Sequence, residues 1–283
     1  MKNILTRDQI VVALRALGLP AGAIVFIHSS MSSIGYVEGG ADTVVDAILG
    51  VLGPTGTLVV PTFTFDHGSD DYPVFDPARD PSGMGRVTEV TRTRPGARRS
   101  CHLLHSIAAL GTHADEITAS HGPSAWAADG PFWMLNELDA HILLLGVPYL
   151  RCTFFHVLEQ LVQVPYRRWS EVEARVQDRD GSLRPLLTLI YSPKPDFAGN
   201  DFNKLGALLE LRGLVQVGNV GNAVARLFHT RDALEVGLAQ YRVDPLLFLK
   251  TGEHCTPLRE GVLTSELDNE KSVLDPALIF RHQ

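Results

Sequence analysis

Two buried strands joined by one amphipathic helix constrain this fold more than any other feature of the chain. Residues 23–28 and 57–61 are short apolar runs rich in β-branched side chains, the composition of strands covered on both faces. Between them Val44, Val45, Ile48, Leu49 and Leu52 recur at helical spacing, so 42–52 is read as a helix, and Gly53-Pro54-Thr55-Gly56 turns the chain. Strand, crossover helix and strand make a right-handed parallel unit. A further apolar strand is expected at 141–147. The alternation predicts an α/β protein, a mostly parallel sheet flanked by helices on both faces.

The rest of the chain fills in around this unit. Residues 6–17 read as a helix with Thr6 as N-cap, ended by Gly18. The stretch 65–85 is rich in Asp, Gly and Pro and is expected as a long loop. From 171 to 191 an alternating pattern turns at Gly181, predicting a small antiparallel subdomain around 170–192. A helix is expected at 203–212, a pair of strands over 215–228 and a last helix at 231–241. Periodicity is weak after Lys250.

At 283 residues, with 45% hydrophobic and 20% charged residues, the chain is expected to form a single domain over 1–283. A net charge of -7 argues against nucleic acid or an anionic membrane as partner and suits a cationic substrate. Cys101, Cys152 and Cys255 form no disulfide framework and no zinc spacing, so reduced thiols and a cytoplasmic location are expected. No signal-peptide core or membrane-length run is present. Phosphate-loop, dinucleotide-fold and nucleophile-elbow signatures are missing, which weighs against an NTPase, a Rossmann dehydrogenase and an α/β-hydrolase.

Three clusters carry candidate chemistry. His156 and Glu159, three apart, share a helix face in an apolar run. Such a pair is either a satisfied buried couple or a base with its orienting carboxylate. Thr153 is expected to cap that helix, placing His156 in its first turn, where the helix dipole disfavours imidazolium while Glu159 favours it. The run His28-Ser29-Ser30-Met31-Ser32-Ser33-Ile34-Gly35 follows the first strand, where its hydroxyls and N–H groups either bind phosphate or amide groups or form a Ser-rich turn. His102 and His105 are spaced for a metal but have only scattered candidates for further ligands (Cys101, Asp115, His113), so His105-Ser106 lining a pocket is preferred and no metal is expected.

Several ordered blocks add to these. They are 28–35 with Gly39-Gly40; Gly53-Pro54-x-Gly56-Thr57-Leu58 with Pro61-Thr62-Phe63-Thr64; Phe75-Asp76-Pro77; and Pro95 to Ser100. His105 to Gly111, Leu143 to Val147, Thr153-x-x-His156-x-x-Glu159 and Val220 to Leu227 complete the set. Together they resemble the aminoglycoside 3-N-acetyltransferases, the antibiotic N-acetyltransferase family, over most of the chain.

The resemblance implies a fold distinct from the GNAT acetyltransferases and transfer of acetyl from acetyl-CoA to a primary amine, the 3-amino group of a polycationic aminoglycoside. His156 would be the general base and Glu159 its orienting partner. Coenzyme A would lie along His28, Ser29, Ser30, Ser32, Ser33, Ile34 and Gly35, with His105 and Ser106 close. Thr64 and the acidic residues Asp66, Asp70, Asp71 and Asp76 would line the acceptor side, since carboxylates attract ammonium groups. The protein would be a monomer or homodimer. Leu150, Cys152 and Phe154 depart from the family's polar pattern there, and Gln160 stands where relatives often have Tyr, so a different amine acceptor is the main alternative. A metal-dependent hydrolase using His102, His105 and His156, or a non-catalytic CoA- or sugar-binding relative, are the remaining ones.

Overall fold

A computed structural model describes residues 4–69, 72–119 and 122–250. In chain order its strands are β1 (Ile24–Ser29), β2 (Thr57–Pro61), β3 (Val74–Phe75), β4 (Arg98–Arg99), β5 (Ile107–Gly111), β6 (His141–Leu145), β7 (Arg167–Gln177), β8 (Leu183–Pro193), β9 (Gln216–Val220) and β10 (Ala223–His229). Among the described residues the large sheet has the order β4-β5-β2-β1-β6-β10-β9, and a small sheet has the order β3-β7-β8.

The α/β class, the mostly parallel strand directions and the antiparallel 170–192 hairpin match the sequence reading. The large sheet is mixed. The β2-β1 and β1-β6 pairs are parallel, and the outer pairings are antiparallel, so β4 and β9 run in the same direction as the centre and β5 and β10 oppose it. The parallel centre follows from the helix Gly40–Leu52, which carries the chain from β1 to β2. The outermost pairs β4-β5 and β9-β10 are closed by short returns, such as the tight Gly221-Asn222 turn between β9 and β10, and a tight return gives an antiparallel pair.

Alternation along the central strands builds a core on each face. Val25, Ile27, Leu58, Val60, Leu143 and Leu145 pack with Ile10, Leu14, Val44 and Ile48 of the helices Arg7–Ala16 and Gly40–Leu52. Phe26, Val59, Ile142 and Leu144 face the other way, against Phe132, Phe154, Phe155, Val157 and Leu158. Burial on both faces explains why β6 is an unbroken apolar run. His28 follows Phe26 by two residues, and its ring meets the Phe26 ring edge-on at 4.7 Å. It therefore sits on the face covered by the 153–161 segment.

The expected N-cap is present: Thr6 and Gln9 form a capping box on Arg7–Ala16. The 65–85 stretch holds a 3-10 turn, Phe65–Ser69, and the strand β3, which pairs parallel with β7. That strand is a product of pairing across the fold and has no periodicity of its own. Cys101 and Cys152 are free thiols, while Cys255 and the tail after Lys250 lie outside the described residues. No helix among the described residues is long and apolar enough to cross a membrane.

Candidate active site

The centre of the site is a carboxylate with a dense set of partners. Glu159 is fully buried, and its Oε2 lies 2.5 Å from His156 Nδ1. Its Oε1 accepts the Tyr166 hydroxyl at 2.9 Å and Asn200 Nδ2 at 2.5 Å. Arg167 brings Nε to 2.9 Å from Oε2, an ion pair whose N–H is aimed off the oxygen. Arg167 is itself fixed by the Tyr191 carbonyl and by Asn200 Oδ1, each at 2.9 Å. Burial alone would raise the Glu159 pKa, but His156, Arg167 and Asn200 outweigh it and hold the carboxyl below its ordinary range.

An ionised carboxylate can only accept, so Nδ1 of His156 carries the hydrogen and Nε2 carries the lone pair. Nε2 has no hydrogen-bond partner among the described residues and is not sealed from solvent. The ring is gripped by Trp126 and Phe202, at centroid distances of 5.0 and 5.1 Å, with 21% of the side chain exposed. Burial lowers the His156 pKa; Glu159 opposes that shift and Arg167 adds to it. The ring is therefore neutral at pH 7, with its basic nitrogen available.

His156 opens into a cleft of about 460 Å³ at the carboxyl ends of β1 and β2. Its walls include His28, Ser29, Phe63, Phe65, Met84, His105, Trp126, Val147, Leu150, Arg151 and Thr153. This is where open α/β sheets hold their ligands.

The expected Thr153 cap is not formed. Thr153–Phe155 is a 3-10 turn, the short α-helix His156–Leu161 follows it, and no side chain caps either start. The Thr153 N–H instead donates to His28 Nε2 at 3.3 Å, and its hydroxyl lies 3.4 Å from the same nitrogen. A tertiary partner has displaced the local one. Burial holds His28 neutral, with its pKa lowered to about 3, and the nearby His156 adds to the shift.

The serine run divides by function. Ser29 lines the cleft. Ser30 caps the short turn Met31–Ile34, accepting the Ser33 N–H at 3.3 Å and the Ser33 hydroxyl at 2.9 Å; the Ser32 hydroxyl lies 3.0 Å away. Ile34 is buried, its carbonyl accepts the Asn222 N–H at 3.0 Å, and Gly35 lies at φ 99° against the Asn222 side chain. The 28–35 and 220–227 blocks therefore meet in space.

His105 lines the cleft, tilted against Trp126 at 4.5 Å and edge-on to Phe63 at 5.0 Å, and burial holds it well below the ordinary imidazole range. Ser106 lies beneath, bonded to Thr62 and to the half-buried Arg99 guanidinium. Thr64 is likewise internal, its hydroxyl donating to the Leu103 carbonyl. His102 is structural: its Nδ1 accepts the Leu104 and His105 N–H groups at 3.2 and 2.9 Å. Among the described residues no group of three or more His, Cys, Asp or Glu is placed to hold a metal ion.

Of the expected acidic residues, the described ones, Asp66 and Asp76, do not line the His156 cleft. Asp76 closes its own turn by accepting the Ala78 and Arg79 N–H groups at 2.9 and 3.0 Å. It lines a separate cleft of about 810 Å³ with Arg79, Arg98, Arg99, Asp115 and Asp178, which contains neither His156 nor Glu159. Asp66 is exposed on the turn Phe65–Ser69, and Asp70 and Asp71 lie outside the described residues. Of the departures from the family pattern, Cys152 and Phe154 are core residues, Gln160 is buried against Ser124, and Leu150 alone faces the cleft.

The sequence left Tyr166, Arg167, Asn200, Trp126 and Phe202 unnoticed. They reach the site from three segments, at 126, 166–167 and 200–202, and nothing in their local pattern marks them.

Comparison with known proteins finds relatives over most of the chain. The family model described as "Aminoglycoside 3-N-acetyltransferase" matches residues 26–242. The chain is 32% identical over 266 residues to aminoglycoside N(3)-acetyltransferase VII of Streptomyces paromomycinus, covering 83% of this chain and 90% of that protein. A variant of aminoglycoside acetyltransferase AAC(3)-IVa solved with apramycin superposes with a TM-score of 0.71 at 30% identity, covering 87% of this chain and 96% of that one. AAC-IIIb solved with CoASH superposes with a TM-score of 0.75 at 25% identity, covering 88% of this chain and 100% of that one.

Proposed function

Because the chain belongs to the aminoglycoside 3-N-acetyltransferase family and is an enzyme of this type, we propose that it transfers the acetyl group of acetyl-CoA to the 3-amino group of an aminoglycoside with His156 as general base. The observation that carries the base assignment is the 2.5 Å bond from His156 Nδ1 to the buried Glu159 carboxylate, which leaves Nε2 basic and turned to the cleft.

An alkylammonium is protonated near pH 7 and must lose a proton before it can attack a thioester. One proton leaves to solvent to give the neutral amine; as the C–N bond forms, His156 Nε2 accepts a second proton from the nitrogen, and Glu159 stabilises the resulting imidazolium. Burial of the pair makes that stabilisation larger than it would be in water. The proton then passes from His156 to the departing thiolate as the C–S bond breaks.

The residues at hand suit a thioester co-substrate. Phe63, Phe65, Met84 and Val147 offer an apolar wall to an acyl-pantetheine arm, and Ser29 offers a hydroxyl at the end of β1. The free thiols Cys101 and Cys152 accord with a reducing, cytoplasmic setting. The test is to incubate the protein with acetyl-CoA and a panel of aminoglycosides and to follow thiol release. Release with any member supports the reading, and none with any amine tried counts against it.

A further inference from the structure

The proposed reaction leaves one task unassigned, holding the negative charge that develops on the thioester oxygen when the amine attacks. We infer that His28 does this, donating its Nδ1–H to that oxygen as a catalytic residue. The inference rests on the acetyl-transfer reading above.

The tautomer comes from geometry. A backbone N–H can only donate, so the Thr153 amide at 3.3 Å requires a lone pair on His28 Nε2. A neutral ring with that lone pair carries its hydrogen on Nδ1, and burial keeps the ring neutral. Nδ1 has no hydrogen-bond partner among the described residues, yet it is not a sealed polar atom. The residue as a whole is 5% exposed and lines the cleft that His156 enters, so that remaining exposure is into the cleft. The ring cannot easily swing away, because Phe26 holds one edge and Thr153 the other. A preorganised, neutral, partly desolvated donor is the kind that stabilises an oxyanion best.

The step balances. The amine nitrogen forms the C–N bond, and the carbonyl π pair moves to oxygen, where His28 Nδ1–H meets it. The amine proton goes to His156 Nε2. On collapse the C=O bond re-forms, the C–S bond breaks, and His156 returns its proton to the thiolate. His28 ends as it began.

Two substitutions separate this role from a structural one. His28→Asn keeps an N–H donor at the Nδ1 position and loses the acceptor for Thr153. His28→Gln keeps an acceptor near the Nε2 position and loses the Nδ1 donor. The measurements are kcat and KM for thiol release from acetyl-CoA, on variants whose melting matches the wild type. Removing one such donor typically costs about 10²–10³ in kcat. His28→Gln is expected to show that loss with KM values near wild type, and His28→Asn to recover at least about tenfold of it. A His28→Gln rate close to wild type, or a His28→Asn variant no better than His28→Gln, overturns the inference. A wild-type protein that acetylates no amine fails at the earlier step and refutes the acetyl-transfer reading itself.

Discussion

The Tyr166 hydroxyl donates to Glu159 Oε1 at 2.9 Å, so the carboxylate that holds His156 Nδ1 is itself fixed by the residue preceding β7. Asn200 and Arg167 add two more anchors. The imidazole is the end of a chain of contacts that begins in the small sheet, and that sheet thereby supports the proposed base.

This arrangement sets a pH dependence. Burial lowers the His156 pKa and Glu159 raises it. The basic form is present above that pKa, so the acid limb of kcat/KM falls below the ordinary imidazole range near 6.5. In Glu159→Gln the raising influence is gone, so the limb moves further to acid while kcat drops. A pH–rate profile of the two proteins checks this, and a limb that stays in place or moves to higher pH contradicts it.

Buried neutral histidines make the fold acid-sensitive. His28 and His102 have pKa values lowered to about 3 and about 4, whereas the unfolded chain binds protons near 6.5. Their contribution is fully present above 6.5 and is lost as pH falls from there toward 4, at about 1.4 kcal/mol per pH unit for each. His102→Asn keeps an acceptor where Nδ1 meets the Leu104 and His105 N–H groups but cannot titrate. Its melting temperature is expected to fall less steeply between pH 6.5 and 4 than that of the wild type. Parallel curves would rule the explanation out.

Gly146 holds two family blocks together. Its φ is 74°, and a Cβ there would lie 2.6 Å from Ser33 Cβ and 3.0 Å from Ala223 Cβ. Gly146→Ala is expected to cost about 1–3 kcal/mol and to raise KM for acetyl-CoA by shifting the Met31–Ile34 turn. Urea denaturation and steady-state kinetics measure both, and a variant as stable as the wild type would contradict the packing argument.

Leu150 is the departure from the family pattern that meets the cleft, 38% exposed beside Arg151. A carboxylate there would add an attraction of about 1 kcal/mol to an ammonium group 4 Å away in water, roughly fivefold in affinity. Leu150→Asp is therefore expected to lower KM for polycationic aminoglycosides by about that factor, with kcat little changed. An unchanged or higher KM would mean that the acceptor does not pass Leu150.

What the sequence revealed and what it hid follow from the range of the interactions. The His156–Glu159 pair is three residues apart on one helix face, and the parallel β1–β2 unit is a contiguous pattern; both were legible. Thr153 was read as a cap because capping is local, but its amide goes to His28, 125 residues away. The antiparallel edges of the large sheet depend on where β5 and β10 dock, which periodicity does not encode. Asp76 illustrates the same limit: its composition suggested ligand binding, while its carboxylate is used by the backbone two and three residues on.

The central claim is that His156 is the base for acetyl transfer. The most direct measurement compares kcat for thiol release from acetyl-CoA, at saturating aminoglycoside, in the wild type and in His156→Ala, with dissociation constants for both substrates determined by calorimetry. A positioned general base contributes about 10²–10⁴ in rate, so kcat is expected to fall by that factor while both dissociation constants stay near wild type. A His156→Ala variant that turns over at the wild-type rate would contradict the account.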